Sequence, residues 1–568
     1  MNILENSIKI PEKELVLKKK LRIGLLVNGY KIPAWKYRII DQIYQSEFTE
    51  IICVIINPVP DAEKIRGKPG LTSLLIRAIE KCDRLIFRTG TDYNTKKDIS
   101  SLIEDLPVLE MGSISGNHTI EELKKLKELN PDIIIRFGMH RLSDELLKIP
   151  MYGIWGFSTD DIKACEITKP GFREVINYRP VTYSALLVLS EDPGKNSVLF
   201  ETWESSSPFS INVNRNRLFW RASLFVPRIL EGLSKYGDIY LVRLKERFRS
   251  GRVLKDGYVE VPTLPAMIKY SFRYFLRVTA LSLRKLWYTN SFRWELLIDI
   301  RNSKDCCSLD FKNFKVISPP KGIFRADPFV VSSGDNYYVF VEEFIYRKDK
   351  AHISVLELDK RGNLLRSDRI IERPYHMSYP FIFRTGETYY MIPETCQNRT
   401  IELYQCTDFP YKWVFVKNIM ENLNAADTTL FHYNGKWWLF TSIDQTDNIS
   451  GSSTELFLFY SDDVLNGEWK SHQMNPVVSD VRNARPAGSL FIQEDKIYRP
   501  SQDCSMRYGR SLNINLVTKM NENEYKEILI KTCKPGWNNK IKGMHTLNTD
   551  KDFTIIDVYK FHKRLSVT

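Results

Sequence analysis

The residues of this chain best placed to do chemistry are carboxylates that recur in register. The runs Phe324-Arg-Ala-Asp-Pro-Phe-Val330, Met377-Ser-Tyr-Pro-Phe-Ile-Phe383, Ala426-Asp-Thr-Thr-Leu-Phe431 and Arg485-Pro-Ala-Gly-Ser-Leu-Phe491 resemble one another. Taking Asp327, Tyr379, Asp427 and Ala487 as equivalent, the residue fifteen places later is Glu342, Glu394, Ser442 and Gln502 in turn. Two carboxyl groups about 5–10 Å apart, one kept protonated by its surroundings, have what glycosidic-bond chemistry requires. Arg485 offers a planar fork suited to a phosphate or a carboxylate. The same acids also suit a purely structural role, because Asp-Pro and Asp-Thr turns cap strand starts.

The elements that would position these residues form a repeat. Each run leads into a hairpin of turn residues and alternating aromatics: 334–343 (GDNYYVFVEE), 386–395 (GETYYMIPET), 435–442 (GKWWLFTS) and 494–502 (EDKIYRPSQ). Third strands follow at 352–358, 400–406, 455–461 and 511–517, with fourth-strand candidates around Trp413 and Trp469. The copies lie 52, 48 and 60 residues apart, and a poorer fifth copy begins near His545. Four-strand units at such a period predict a five-bladed β-propeller over residues 291–568.

The pairs Ala-Asp-Pro-Phe and Ala-Asp-Thr-Thr-Leu-Phe resemble five-bladed glycoside-hydrolase propellers. They are more similar still to the propeller region of glucosamine inositolphosphorylceramide transferases and bacterial surface-polysaccharide proteins. The resemblance implies an axial funnel with Asp327 and Asp427 as inner-strand acids and Glu342 or Glu394 as proton donor. The candidate substrate-binding residues are Arg485, Tyr379, Arg325 and His545. Where the hydrolases carry an acid Glu in a Glu-Gly/Ala-Pro context, this chain has Arg485-Pro-Ala-Gly488. Tyr379, Trp437 and Trp438 are candidates for stacking on sugar rings, although Trp437 and Trp438 fit blade packing better.

The N-terminal third reads differently. Apolar runs at 21–27, 51–56, 84–87 and 132–137 alternate with helical segments, the clearest at 120–129, opened by the capping-box spacing of Thr119 and Glu122. Strands alternating with helices predict a mainly parallel, Rossmann-type α/β sheet. Residues 131–138 (PDIIIRFG), 142–150 (LSDELLKIP), Tyr152-Gly-Ile154, Pro180-Val-Thr182 and 186–191 resemble the formyltransferase family. That family uses an Asn-x-His pair just after the glycine. Here Gly156 stands where Asn belongs and Ser158 where His belongs. A glycine offers no side-chain donor and a serine near its ordinary pKa is a poor base, so the resemblance implies the fold without formyl transfer. His118 and His140 have no partner legible in sequence and read as solvent-facing or capping residues.

Residues 1–20 read as an extension, 21–240 as the α/β domain, and 241–290 as a linker with a basic amphipathic helix. In 266–288, Lys269, Arg273, Arg277 and Arg284 line one face, while Ile268, Phe272, Phe275, Thr279, Leu283 and Leu286 occupy another. Such a helix suits either a membrane interface or a seat between domains. The 568 residues carry a formal charge of +13 and a sequence pI near 9.0, which favours anionic surfaces without choosing among them. No specific nucleic acid is indicated. The first 20 residues hold no apolar core of a secretory signal, and no apolar stretch approaches 18 residues. Nine scattered cysteines without C-x-x-C spacing fit reduced thiols in the cytoplasm, with membrane contact on the inner face as a further expectation.

No metal or cofactor is implied by a phosphate-cradling loop or a His/Cys cluster, and an unidentified nucleotide-sugar donor stays open. Three functions fit a carbohydrate substrate: a sugar transferase of surface-glycan or polysaccharide biosynthesis, a non-catalytic carbohydrate-binding scaffold, and a glycoside hydrolase.

Overall fold

The computed structural model describes residues 19–57, 71–110, 119–138, 142–160, 170–248, 263–287, 292–300, 310–447, 449, 451 and 453–561. His118, His140, Cys165, Cys306, Cys307 and most of the 1–20 extension lie outside them. The chain forms two compact units that divide near residue 282.

The N-terminal unit is built on a seven-stranded sheet in the order 108–110, 49–56, 21–27, 133–136, 154–157, 181–188, 197–205. The first five strands run parallel and the last two antiparallel. The parallel strands are near-continuous apolar runs, as burial on both faces requires: Ile23, Leu25, Val27, Val54, Ile133, Ile134 and Ile135 are all buried. The helix Ile120–Leu129 opens on the expected capping box, with Glu122 N–H donating to Thr119 Oγ1 at 3.2 Å and Thr119 N–H donating to Glu122 Oε2 at 2.7 Å.

Within the segment read as a linker, the described residues 241–248 and 264–287 are helical, and the second of these helices packs on this unit. In the helix Leu264–Trp287, Met267, Ser271, Tyr274 and Val278 form the buried stripe, set against Ile76, Ile79 and Phe172. The anchor is the buried Asp83 on the helix Leu71–Ile86. Its carboxylate accepts from Tyr274 Oη at 2.7 Å, Asn212 N–H at 2.6 Å and Ser210 Oγ at 3.2 Å. Arg277 does not stay on the solvent-facing basic stripe. Its Nη1 donates to the carbonyls of Val175 (2.8 Å) and Pro208 (3.1 Å), and its guanidinium lies 4.1 Å from the Tyr178 ring.

The C-terminal unit is a five-bladed β-propeller. Blade one comprises 323–333, 336–345, 350–358 and 364–371, and blade two comprises 378–385, 388–395, 400–408 and 412–421. Blade three is 425–433, 436–443, 455–461 and the short pieces 470–471 and 478–479, and blade four is 491–493, 496–503, 511–520 and 525–533. The fifth blade is composite. Strand 553–561 pairs with 541–543 and 547–550 on one side and with 292–299 on the other, and 292–299 in turn pairs with 315–317. Both ends of the unit therefore meet in one sheet through eight residue pairs, from Phe292 with Phe561 to Asp299 with Thr554.

The inner strands of blades one to three break register at the same place. The ladder shifts between Ala326 and Phe329, between Ser378 and Phe381, and between Ala426 and Thr429. Asp327, Tyr379 and Asp427 sit inside these bulges with φ of 50°, 43° and 53°. A bulge re-aims a side chain, and a left-handed conformation is tolerated far better by Asp than by Tyr. The fourth copy departs from the other three. The first three pair residue i with i+16, but Pro486 pairs with Ser501, so Gln502 lies opposite Arg485. Gly488 takes the irregular position there, with φ of 121°.

Gly488 also sets how closely blades four and five approach, because a Cβ on it would lie 2.0 Å from the Leu547 carbonyl oxygen. Leu547 N–H donates to the Ala487 carbonyl in the same contact. Gly488→Ala should therefore destabilise the chain by about 2–4 kcal/mol. Denaturant unfolding checks this, and an unchanged midpoint would mean that the two blades separate freely.

Candidate functional site

The bulges deliver two acids into one buried polar cluster at the propeller axis. Asp327 is held by neighbours from two other blades: its own N–H donates to Asp557 Oδ2 at 2.9 Å, while its carboxylate accepts from Thr546 Oγ1 at 2.9 Å and Tyr379 N–H at 3.3 Å. His545 Nε2 lies 3.6 Å from Asp327 Oδ1, and His545 Nδ1 lies 2.6 Å from Asp557 Oδ2. The His545 ring stacks on Trp294 at 3.9 Å between centroids.

Asp427 is gripped by a guanidinium. Arg485 Nε donates to its Oδ2 at 2.6 Å and Nη2 to its Oδ1 at 3.2 Å, while Gln502 Nε2 donates to Oδ2 at 2.8 Å. The same Nη2 reaches Glu394 Oε2 at 3.3 Å, and that oxygen accepts from Asp427 N–H at 3.1 Å. Glu394 Oε1 accepts from the Cys396 thiol at 3.2 Å. Arg485 also lies 4.9 Å from the ring of Tyr508. Glu342 faces His376, with 3.3 Å between Oε1 and Nε2.

Tyr379 closes the floor between the acids. Its hydroxyl accepts from Gly488 N–H at 2.7 Å and lies 2.9 Å from Thr429 Oγ1, and its ring is fully buried. A buried ring has no face to offer a sugar, so its part is to fix the two bulges. Trp438 is likewise blade packing, with Nε1 donating to the Tyr433 carbonyl at 3.2 Å.

Of the eight expected site residues, seven converge here and Arg325 does not. Arg325 lies two residues before Asp327, and a strand alternates its side chains between faces until a bulge intervenes. Arg325 Nε donates to Glu343 Oε2 at 2.8 Å and Nη2 to Ser367 Oγ at 2.9 Å, an ion pair inside blade one. Asp557, Thr546, His376, Tyr508 and Trp294 complete the cluster without having been anticipated, and Gln502 joins it from the register position of Glu342 and Glu394. Asp557 had one signal, a lone acid in the apolar run 553–559 (FTIIDVY). The others reach the cluster through residues distant in sequence, such as Thr546 with Asp327 and Trp294 with His545, which no local pattern reports.

Burial and like charge set the protonation states. Burial, with Glu342, Asp427 and Asp557 adding repulsion against the pull of His545, pushes Asp327 up to about 8. Burial and Glu394 push Asp427 up to about 7 despite Arg485. Burial alone would depress His545, but Asp557 and Asp327 outweigh it and carry the imidazole up to about 9. At neutral pH the cluster thus pairs a protonated carboxyl with charged groups beside it, which is the division of roles acid–base chemistry needs.

Residues 312–564 match the protein family described as "Glucosamine inositolphosphorylceramide transferase 1, N-terminal". The chain is 35% identical over 208 residues to glucosamine inositolphosphorylceramide transferase 1 of Oryza sativa subsp. japonica, covering 36% of this chain and 28% of that one. The Arabidopsis thaliana protein of the same name is 30% identical over 208 residues, with 36% and 27% covered. The matched part thus spans little more than a quarter of these relatives. Among solved structures, the family 117 glycoside hydrolase Zg3597 of Zobellia galactanivorans covers 48% of this chain and 91% of its own at 11% identity, with a TM-score of 0.30. The catalytic domain of the Coprinopsis cinerea GH62 α-L-arabinofuranosidase covers 48% and 97% at 10% identity, with a TM-score of 0.33.

The raised groups make stability depend on pH. A group whose folded pKa lies above its unfolded value contributes stability that is complete below the unfolded pKa and lost as pH rises through the folded one. For Asp327 the window runs from about 4 to about 8, and for His545 from about 6.5 to about 9. The propeller should therefore lose stability steadily between pH 5 and 9. Asp327→Asn should flatten this decline below pH 8, measured as Tm against pH. A wild-type Tm that rises over that range would refute the assignment.

Proposed function

We propose that the chain is a carbohydrate-active enzyme of glycan synthesis, a sugar transferase whose substrate enters the axial site of the propeller. The observation that carries this reading is the pair of buried carboxyl groups, Asp327 and Asp427, that the bulges bring into one polar cluster inside the region that matches the transferase family. Asp327, protonated near pH 7, is suited to give its proton to the oxygen leaving an anomeric carbon. Glu342 and Glu394 are suited to balance the positive charge that develops on the sugar. The half-exposed Tyr508 beside Arg485, and His376 beside Glu342, supply the rim on which a sugar would rest.

The role of Arg485 changes with the geometry. Its bonds go to Asp427 and Glu394, so it acts first as their counter-ion and only then as a site for an anionic substituent. That saturation favours the second reading, a carbohydrate-binding scaffold that performs no reaction. We also infer a formyltransferase-like fold without formyl transfer for the N-terminal unit. Support comes from Gly156, where a Cβ would lie 3.2 Å from Arg136 Nε, so the arginine occupies the space an Asn side chain would need. Ser158 Oγ already accepts from Ala185 N–H at 2.9 Å.

Two substitutions separate the readings in the full chain. Asp327→Asn should abolish sugar transfer, by roughly 100-fold or more, while leaving Tm at pH 7 unchanged or higher. Asp427→Asn should lower activity and also cost about 2–4 kcal/mol, because it strips Arg485 of its main partner. The assay is product formation from a panel of nucleotide sugars, together with glycan-array binding. Retained glycan binding without turnover of any donor would select the scaffold, and full activity of Asp327→Asn would place the chemistry elsewhere.

A further inference from the structure

The helices Leu71–Ile86 and Leu264–Trp287 pack together through Asp83 and Tyr274, and each turns a second face outward. On the first, Leu71, Leu74, Ala78 and Leu85 recur at helical spacing and are exposed, Leu71 at 69% and Leu85 at 60%. Arg77, Lys81 and Arg84 flank them, and all three are exposed. On the second, Ile268 (57% exposed), Phe272 (65%), Phe275 and Leu276 form an apolar stripe, with Lys269 and Arg273 exposed beside it.

Acids are missing from both outward faces. The helix Leu264–Trp287 contains no Asp or Glu. In the helix Leu71–Ile86, Asp83 is buried and Glu80 is engaged by Arg215 at 2.6 Å. Among the described residues, eight exposed large apolar and aromatic side chains, Ile86 included, therefore share one pair of packed helices with five exposed cations. A solvated face would carry mixed charge and few exposed large apolar groups. A protein partner would have to supply acids around an apolar centre, whereas an anionic bilayer supplies both at once: phosphate oxygens at the depth of the cations and acyl chains at the depth of the rings. No described helix is long and apolar enough to cross a membrane, so the contact is interfacial.

We propose that this two-helix face docks the chain on the surface of an anionic phospholipid bilayer. Leu71, Leu74, Leu85, Phe272 and Leu276 enter the acyl boundary, and Arg77, Lys81, Arg84, Lys269 and Arg273 meet the headgroups. The inference does not depend on the chemistry of the propeller, since no residue of that cluster takes part.

The test is co-sedimentation of the full chain with vesicles of phosphatidylglycerol and phosphatidylcholine, against vesicles of phosphatidylcholine alone. Binding should require the anionic lipid and weaken as salt rises. Lys269→Glu with Arg273→Glu should weaken it by roughly fivefold or more for each cation lost. Phe272→Asp with Leu276→Asp should abolish it, with helix content and Tm unchanged because neither side chain is packed. Equal binding to neutral vesicles, indifference to both double variants, or a fall in Tm for Phe272→Asp marking the stripe as packed would each overturn the proposal. So would a self-associated chain that becomes monomeric in the aspartate variant without having bound vesicles.

Discussion

Closing a ring of blades brings five inner strands to one axis, and everything placed on those strands at the bulge must share a small, dry volume. Closure here rests on the eight residue pairs that zip 292–299 onto 553–561. The price of convergence is electrostatic: Asp327, Asp427, Glu342, Glu394 and Asp557 face one another with Arg485, His545 and His376 as the available cations. Two of those acids answer by taking up protons near neutral pH, and the histidine answers by keeping one. Proton uptake at the cluster and stability are thus set by the same charges, as happens where carboxyl groups are held out of water.

Tyr379 shows how the ring transmits constraint from blade to blade. It occupies in blade two the position that Asp327 and Asp427 occupy in blades one and three, in the same left-handed conformation. An aromatic residue gains nothing from that conformation locally. It is held because its N–H meets Asp327 while its hydroxyl meets Gly488 and Thr429, tying blades one, two, three and four together. A residue read as a sugar platform is therefore a keystone, and its strain is offset by bonds that exist only in the closed ring.

What could be read from the sequence follows from what repeats. Blades one to four keep a turn, an aromatic hairpin and an acid or its substitute at fixed spacing, so their strands and the axial convergence of Asp327 and Asp427 were legible. Two features were not. The fifth blade draws strands from opposite ends of the unit, and pairing at a separation of more than 250 residues leaves no local pattern. Arg325 was expected among the substrate-binding residues, yet the bulge between Ala326 and Phe329 separates its destination from that of Asp327. Sequence shows that a bulge-prone residue is present but not where the ladder slips.

The same limit applies to the helix Leu264–Trp287. Two faces, one basic and one apolar, were visible from spacing, but a helix packed against a domain while touching a second surface needs three. The third face is the Met267, Ser271, Tyr274 and Val278 stripe, whose mixed polarity hides it among its neighbours. Tyr274 and Ser271 look ambiguous in isolation; burial suits them because Asp83 accepts from the tyrosine hydroxyl and the Met267 carbonyl accepts from the serine. That bond decides the rotation of the helix about its axis. By burying those four side chains it leaves Ile268, Phe272 and Leu276 facing outward, so a single buried carboxylate on a neighbouring helix determines which side chains the surface can offer.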